Sequence, residues 1–271
     1  MILKTRYLKN GIGNSPVFFV NLQTNYYDMK MKNYLELLLG VCLSIMLFSC
    51  RPSTGEMIYE LQLNDSLTIR NGDLLFVGLP LDYQLTDTDT ASMDQAISDA
   101  TAISDEINYI HVAILEVDEN DSLWIIDATI KHGVDRHPFG EFLSDFTLKD
   151  GTYPQLVVMR LQDNADVNKY VENAKTYCGR EYDMHFLPDN EAQYCSELVR
   201  NSYTTSTGTY IFSESPMNFK SADGTFPPYW VELFDLLGEP IPQGVMGTNP
   251  NEMSQEQCLK RVGELSVISG Q

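Results

Sequence analysis

The sequence predicts an α+β protein: an antiparallel sheet with helices packed against it. Three observations carry that reading. Asn108 to Val117 and Ser122 to Thr129 are apolar, β-rich runs separated by Asp118-Glu119-Asn120-Asp121, a strand–turn–strand pattern. Val167, Tyr170, Val171, Ala174 and Tyr177 lie on one face at helical spacing. Cys195, Leu198, Val199 and Ser202 do so again, which predicts a helix beginning near Tyr194.

Taken in order, the chain opens with Met1 to Asp28, which shows neither a helical nor a strand period. Met29-Lys30-Met31-Lys32-Asn33 then supplies a positive segment, and Leu37 to Phe48 an apolar one. Leu47-Phe48-Ser49-Cys50 places a small residue before cysteine, the pattern of a bacterial lipoprotein signal with Cys50 as the acylated first residue. The apolar stretch is shorter than the ~20 residues that cross a bilayer. The expected organisation is therefore an upstream segment and signal peptide over 1–49, a tether over 50–64 and one domain over 65–271. A chain of that length fills a single core.

Charge narrows the partners. The 271 residues hold 18 Lys+Arg and 38 Asp+Glu. Residues 1–49 carry five basic and two acidic residues, so the remainder holds 13 against 36, a formal −23. Nucleic acid is excluded as an expected partner, because such a surface repels phosphate. Beyond Cys50 the cysteines are Cys178, Cys195 and Cys258, an odd number that leaves at least one free thiol in an exported protein. A Cys178–Cys258 bridge stays open.

In the domain, Leu67-Thr68-Ile69 and Asp73 to Val77 read as short strands, with Gly72 at the bend. Leu79 to Asn108 is a long connection in which Met93, Ala96, Ile97, Ala100 and Ile103 form a helical face. It either covers a cleft or stands as an exposed insertion. In the following hairpin, His111 lies near the start of one strand and Asp127 near the end of the other, so antiparallel pairing brings them to one end of the sheet. Lys131 to Pro138 reads as a polar, turn-rich loop whose His132 and His137 are expected at the surface. Phe139, Phe142 and Leu143 predict a short helix, and Leu156 to Leu161 a core strand. The helix over Val167 to Tyr177 is expected to end at Gly179, with Asp163 or Asn164 as its cap. Trp230, Leu233, Phe234 and Leu237 predict a helix closed by Gly238, with the aromatic cluster around it at the edge of the core. A short helix is expected around Gln255 to Val262. There is no phosphate-cradling glycine loop, zinc-type cysteine pairing or internal repeat.

Cys195 is the candidate nucleophile. In the first turn of a helix it meets the positive end of the helix dipole, which favours thiolate over thiol. The structural alternative is a small buried thiol under a helix. A thiolate mechanism needs a base and an orienting group. His111 is the expected base because a strand holds it rigidly, with His185 as the rival closer to Cys195 in sequence.

These pieces resemble a known family. Asn71-Gly72-Asp73-Leu74-Leu75-Phe76, His111-Val112-Ala113-Ile114, Ile126-Asp127-Ala128, Tyr182-Asp183 and Tyr194-Cys195-Ser196-Glu197-Leu198-Val199 look, in that order and spacing, like circularly permuted NlpC/P60 hydrolases of the YiiX/YebB-like group. Ser215 to Lys220 and Gly238 to Gly244 extend the resemblance to roughly residues 65–250. It implies a circularly permuted papain-like fold in which histidine precedes cysteine. It also implies amide hydrolysis by Cys195, His111 and Asp127, with no metal or organic cofactor. The family typically has Glu where Asp127 stands, so the shorter side chain is expected to reach His111 only through the backbone or a water. Asp73 and Tyr182 are implied as substrate-binding residues, with a turn carboxylate as the equal alternative for Asp73.

The expected enzyme is a membrane-anchored cysteine hydrolase of the cell envelope, periplasmic or surface, acting on an amide such as a cell-wall peptide. Two alternatives stand beside it: a lipid-directed thioesterase or acyltransferase, and a binding lipoprotein without catalysis. An apolar groove beside Cys195 favours lipid, and a cleft with a carboxylate or amine-binding group favours peptide.

Overall fold

A computed structural model of the chain describes residues 5–6, 19–20, 58–62, 68–80, 92–103, 107–148, 151–163, 165–188 and 190–270. Its elements in order are β1 (Thr5–Arg6), β2 (Phe19–Val20), β3 (Ile58–Gln62), β4 (Asp73–Pro80), α1 (Met93–Thr101), β5 (Ile107–Val117), β6 (Leu123–Thr129) and β7 (Gly133–Pro138). There follow α2 (Phe139–Asp145), β8 (Gln155–Leu161), α3 (Val167–Lys175), α4 (Cys195–Ser202), β9 (Ser215–Pro216), α5 (Pro228–Leu237), β10 (Met246–Gly247), α6 (Pro250–Ser254) and β11 (Leu259–Gly270). The signal segment and Cys50 lie outside the described residues.

Seven strands form one antiparallel sheet in the order β3-β11-β8-β4-β5-β6-β7. Its central strands read as nearly unbroken apolar runs because both faces are covered. On one face Leu74, Phe76, Val112, Ile114 and Ile126 pack with Val171 of α3 and Leu198 and Val199 of α4. On the other, Leu75, Val77, Ala113, Leu115 and Ile125 meet Phe139 and Phe142 of α2. Leu198 and Val199 are almost fully buried. At ~1.5–3 kcal/mol for each such side chain, they seat α4 firmly on the sheet, with Cys195 at its leading end. A third cluster joins Ala96 of α1, Phe186, Tyr194, Phe219 and the α5 residues Trp230 and Phe234, so the aromatic segment is core, as its spacing predicts.

Several expectations change in the folded chain. Ile58–Gln62, assigned above to the tether, is an edge strand paired with the end of β11. The helix expected around Gln255 to Val262 is instead α6 followed by the long strand β11. A register shift between Arg261 and Gly263 breaks the two-residue alternation there, which hid the strand from a periodicity reading. Thr5–Arg6 and Phe19–Val20 pair antiparallel, although their surroundings show no period. The helix over 167–175 has Asp166, rather than Asp163 or Asn164, in the position before its first residue.

Asp73 pairs with Leu115, at the end of β4 away from His111. Its carboxylate accepts from Arg160 Nε at 2.6 Å and Nη2 at 2.7 Å, and from the Arg70 N–H at 2.7 Å. Both side chains are buried, a bidentate pair with its lone pairs satisfied. Such a pair is costly to break rather than strongly stabilising. The substrate-binding role is thus not supported by its position, since it lines neither cavity beside Cys195.

Candidate active site

Cys195 is the first residue of α4, and Tyr194 before it is extended, with φ −96° and ψ 168°. The Glu197 carboxylate accepts from the Tyr194 N–H at 3.4 Å, which fixes the entry of the chain into the helix. The thiol is buried, at 4% exposure, with its side facing the end of the sheet. Tyr194 is itself held: its hydroxyl accepts from the Thr248 N–H at 3.0 Å, and Thr248 Oγ1 donates to Ser196 Oγ at 2.9 Å.

His111 meets Cys195 from β5: both side chains line one cavity, and the Cys195 charge acts on the imidazole. A local irregularity aims it there. Between Val77 and Gly78 the register shifts, β4 advancing one residue while β5 passes from His111 to Tyr109, so Ile110 is an extra residue beside the histidine. Such a bulge bends the strand and redirects its side chains. Asn251 of α6 anchors the same strand start: its Oδ1 accepts from the Tyr109 N–H at 2.7 Å, and its Nδ2 donates to Asn108 Oδ1 at 2.6 Å and Tyr109 O at 3.0 Å.

Asp127 completes the row. His111 Nε2 donates to Asp127 Oδ2 at 2.8 Å, so no backbone group or water is needed to span the shorter side chain. With Nε2 committed to the carboxylate, Nδ1 is the nitrogen left for Cys195. Burial disfavours the His111 cation, yet the Cys195 charge and the hydrogen bond to Asp127 outweigh it and raise its pKa to about 10. Burial likewise opposes the Asp127 anion, but hydrogen bonds from His111 and His137 bring its pKa down to about 2. The linkage has a definite sign. His111, raised above its ordinary 6.5, contributes stability that is complete below pH 6.5 and lost as pH climbs through about 10. Asp127, lowered from 3.8, contributes stability that is complete above pH 3.8 and lost as pH falls through about 2.

His137 corrects the sequence reading. It was expected in a surface loop; it is buried at 4% exposure on β7, and its Nε2 donates to the second oxygen of Asp127 at 2.8 Å. The reason is the pairing of β7 with β6, which sets His137 opposite Ile125, two residues from Asp127 and on the same side of the sheet. His132 is partly buried, with its Nε2 3.0 Å from Asp145. His185, the rival base, is exposed and pairs with Glu239 at 2.8 Å.

Two cavities flank Cys195. The larger, about 300 Å³, contains both Cys195 and His111, with Asp94, Ile97, Lys131, Asp145 and Tyr182 in its walls. Helix α1 thus covers the cleft, one of the two readings left open by the sequence. Lys131 donates to Asp145 at 2.6 Å, so those two charges offset each other. Asp94 is open to the cleft's solvent while the walls limit its hydration; this raises its pKa, against the opposing charge of His111. The smaller cavity, about 50 Å³, is bounded chiefly by Phe186, Tyr194, Met217, Phe219 and Trp230. Tyr182 lines both.

A strand-borne histidine that precedes a helix-borne cysteine in the chain is the permuted papain arrangement. Residues 68–263 match the model of the permuted papain-like amidase enzymes, the YaeF/YiiX or C92 family. The chain belongs to this family. It is a cysteine amidase or peptidase-type hydrolase with a permuted papain-like α+β fold. The protein YiiX of Escherichia coli (strain K12) is 24% identical over 215 residues, which span 78% of this chain and 86% of YiiX. A crystal structure described as the metalloprotein YiiX of Escherichia coli O157:H7 superposes with a TM-score of 0.53 at 22% identity, over 72% of this chain and 97% of that one. At that identity the likeness speaks for the fold.

The donors of this family member do not fit a metal centre. Among the described residues no three His, Cys, Asp or Glu side chains are grouped to hold an ion. The Nε2 atoms of His111 and His137 both turn to Asp127 rather than to a common point.

Sequence reasoning missed His137, Asn251 and Thr248. Each acts through a contact remote in sequence, and none stands in a pattern that marks it. No two-residue alternation marks residues 133–138 as a strand, since Val134 and His137 stand three apart and face opposite sides of the sheet.

Proposed function

We propose that the protein cleaves amide bonds through a Cys195–His111–Asp127 site and a thioester acyl-enzyme. The observation that carries this is the shared cleft: Cys195 and His111 line one cavity, and Asp127 binds the far side of the imidazole. Transfer of the Cys195 thiol proton to His111 Nδ1 gives a thiolate–imidazolium pair, the state that the raised His111 pKa favours, and the sulfur attacks the substrate carbonyl carbon. The N–H groups at the start of α4 are suited to hold the resulting oxyanion. His111 returns the proton to the leaving amine as the C–N bond breaks. Water, giving a proton to His111, then releases the acid and restores the thiol. Asp127 holds the imidazole in the tautomer this needs and stabilises its cation.

The substrate we favour is a peptide, because the cleft presents the open carboxylate of Asp94 beside charged Lys131 and Asp145. A second reading, acyl transfer on lipid, rests on the apolar cavity behind Cys195. Incubation with peptide fragments and acyl esters, followed by mass spectrometry, separates them. Amide cleavage is expected; ester turnover alone overturns the peptide assignment.

The nucleophile has its own test. Iodoacetamide near neutral pH is expected to alkylate Cys195 stoichiometrically and faster than Cys178 or Cys258, whose pKa values burial pushes up. Equal labelling of the three thiols in mapped peptides contradicts an activated Cys195.

For location we propose a lipid anchor in the cell envelope. Its support is the sequence alone: an apolar run closing on Leu47-Phe48-Ser49-Cys50. The mature chain is expected to begin at an acylated Cys50, and an intact mass showing an unmodified Cys50 counts against it.

A further inference from the structure

We infer that His137 is a positioning residue of the catalytic site, holding Asp127 from behind so that its carboxylate presents Oδ2 to His111. The inference rests on the proposed Cys195–His111–Asp127 mechanism. Three strands deliver the row: His111 on β5, Asp127 on β6 and His137 on β7, each carboxylate oxygen taking one Nε2 donor at 2.8 Å.

The burial of the row gives the second histidine its purpose. Asp127 is 1% exposed, so water cannot satisfy its Oδ1, and a carboxylate with one free oxygen inside a protein is both costly and free to rotate. A single donor fixes one bond; two donors on opposite oxygens fix the plane. Among the described residues His137 makes no competing use of its ring: Nδ1 is buried with no hydrogen-bond partner there, and the ring's bond is to Asp127. The ring is held by its neighbours, Phe142 at 6.3 Å and His132 at 6.0 Å between centroids. This clamp also accounts for an aspartate in the orienting position. The short side chain reaches His111 directly because β6 lies between two strands that each send a histidine to it.

Charged and titratable groups around the row can be named from every side. His137 faces Asp127 on β6, Glu141 on α2 and Asp135 on its own strand, with His132 stacked beside it. His111 faces Cys195 on α4, Asp127 on β6 and Asp94 on α1. Burial acts against the His137 cation, and the surrounding carboxylates, Asp127 first, turn the balance upward.

The test is the pH dependence of Cys195 alkylation in the full chain, compared among wild type, His137→Phe, His137→Gln and His137→Asn. Phenylalanine keeps the ring volume and removes the donor, so the Asp127 carboxylate loses a hydrogen bond that favours its charge. The acid limb of the profile is then expected to move upward by about one pH unit or more, the size of one charge-assisted hydrogen bond. Glutamine, whose Nε2 can stand where the imidazole Nε2 does, is expected to restore the wild-type limb. Asparagine, too short to reach, is expected to behave like phenylalanine. Should the phenylalanine variant fail to fold, the glutamine and asparagine profiles decide, since a packing role predicts that they coincide.

Long-range proton–nitrogen NMR of the His111 ring gives a readout that does not depend on the nucleophile. Read above pH 10, where the ring is neutral, the Nε2–H tautomer is expected to dominate in wild type and His137→Gln and to lose that dominance in His137→Phe and His137→Asn. Variants that leave both the tautomer and the acid limb unchanged overturn the inference. A wild-type Cys195 without enhanced alkylation overturns the catalytic reading itself, while the His111 tautomer still reports on the clamp.

Discussion

Cys195→Ala is expected to lower amide turnover by about 10⁴-fold or more, the scale seen when a covalent nucleophile is lost and only binding and oxyanion stabilisation remain. The fold should survive. Alanine preserves α4, whose attachment comes from Leu198 and Val199 and from the capping contacts at Tyr194, none of which uses the sulfur. The cavity left by one sulfur is small beside that hydrophobic seat. Turnover measured on the same peptide, with circular dichroism to confirm folding, gives the comparison. Residual turnover within tenfold of wild type means that the scissile bond is not attacked by this thiol.

His111→Ala is expected to cost about 10²-fold or more in turnover, the usual contribution of general base catalysis. His185→Ala is expected to cost little, because that imidazole is exposed and paired with Glu239, on the other side of the histidine assignment that the sequence left open. Asp127→Asn should fall between them: an amide can still hold the ring, but it cannot stabilise the imidazolium as a carboxylate does. The buried position of Asp127 sharpens this, since an asparagine there must offer its amide hydrogens to one of two histidine nitrogens that already donate. All three variants are compared on one substrate. A dead His185→Ala with an active His111→Ala reverses the assignment of the base.

The hairpin, α2, α3, α4 and α5 were legible in the sequence, because each is long or strongly periodic and its turn or stop signals are local. Asp118 to Asp121 closes the hairpin, and Gly238, at φ 70°, ends α5 in a conformation that favours glycine. The strand β11 was not legible. Its bulge near Val262 puts the two halves out of phase, and a strand whose pairing partners lie about 100 and about 200 residues away has no local signature. The tether misread β3 for a related reason: an edge strand is completed by its neighbour, and that neighbour is the last strand of the chain.

By itself the sequence determined the chemistry on offer. It supplied a cysteine at a helix start, a histidine and an aspartate on the two arms of one hairpin, and the permuted order of these residues. It did so because helix period, strand alternation and turn composition are properties of neighbouring residues. Only the tertiary structure decided which histidine shares a cavity with Cys195, that Asp127 reaches His111 directly, that Asp73 belongs to Arg160, and that His137 is buried behind Asp127 rather than on the surface. Those four outcomes depend on strand register and on burial. A shift of one residue in β7 would turn His137 to the other face of the sheet, and no composition or spacing within Lys131 to Pro138 records which side is chosen.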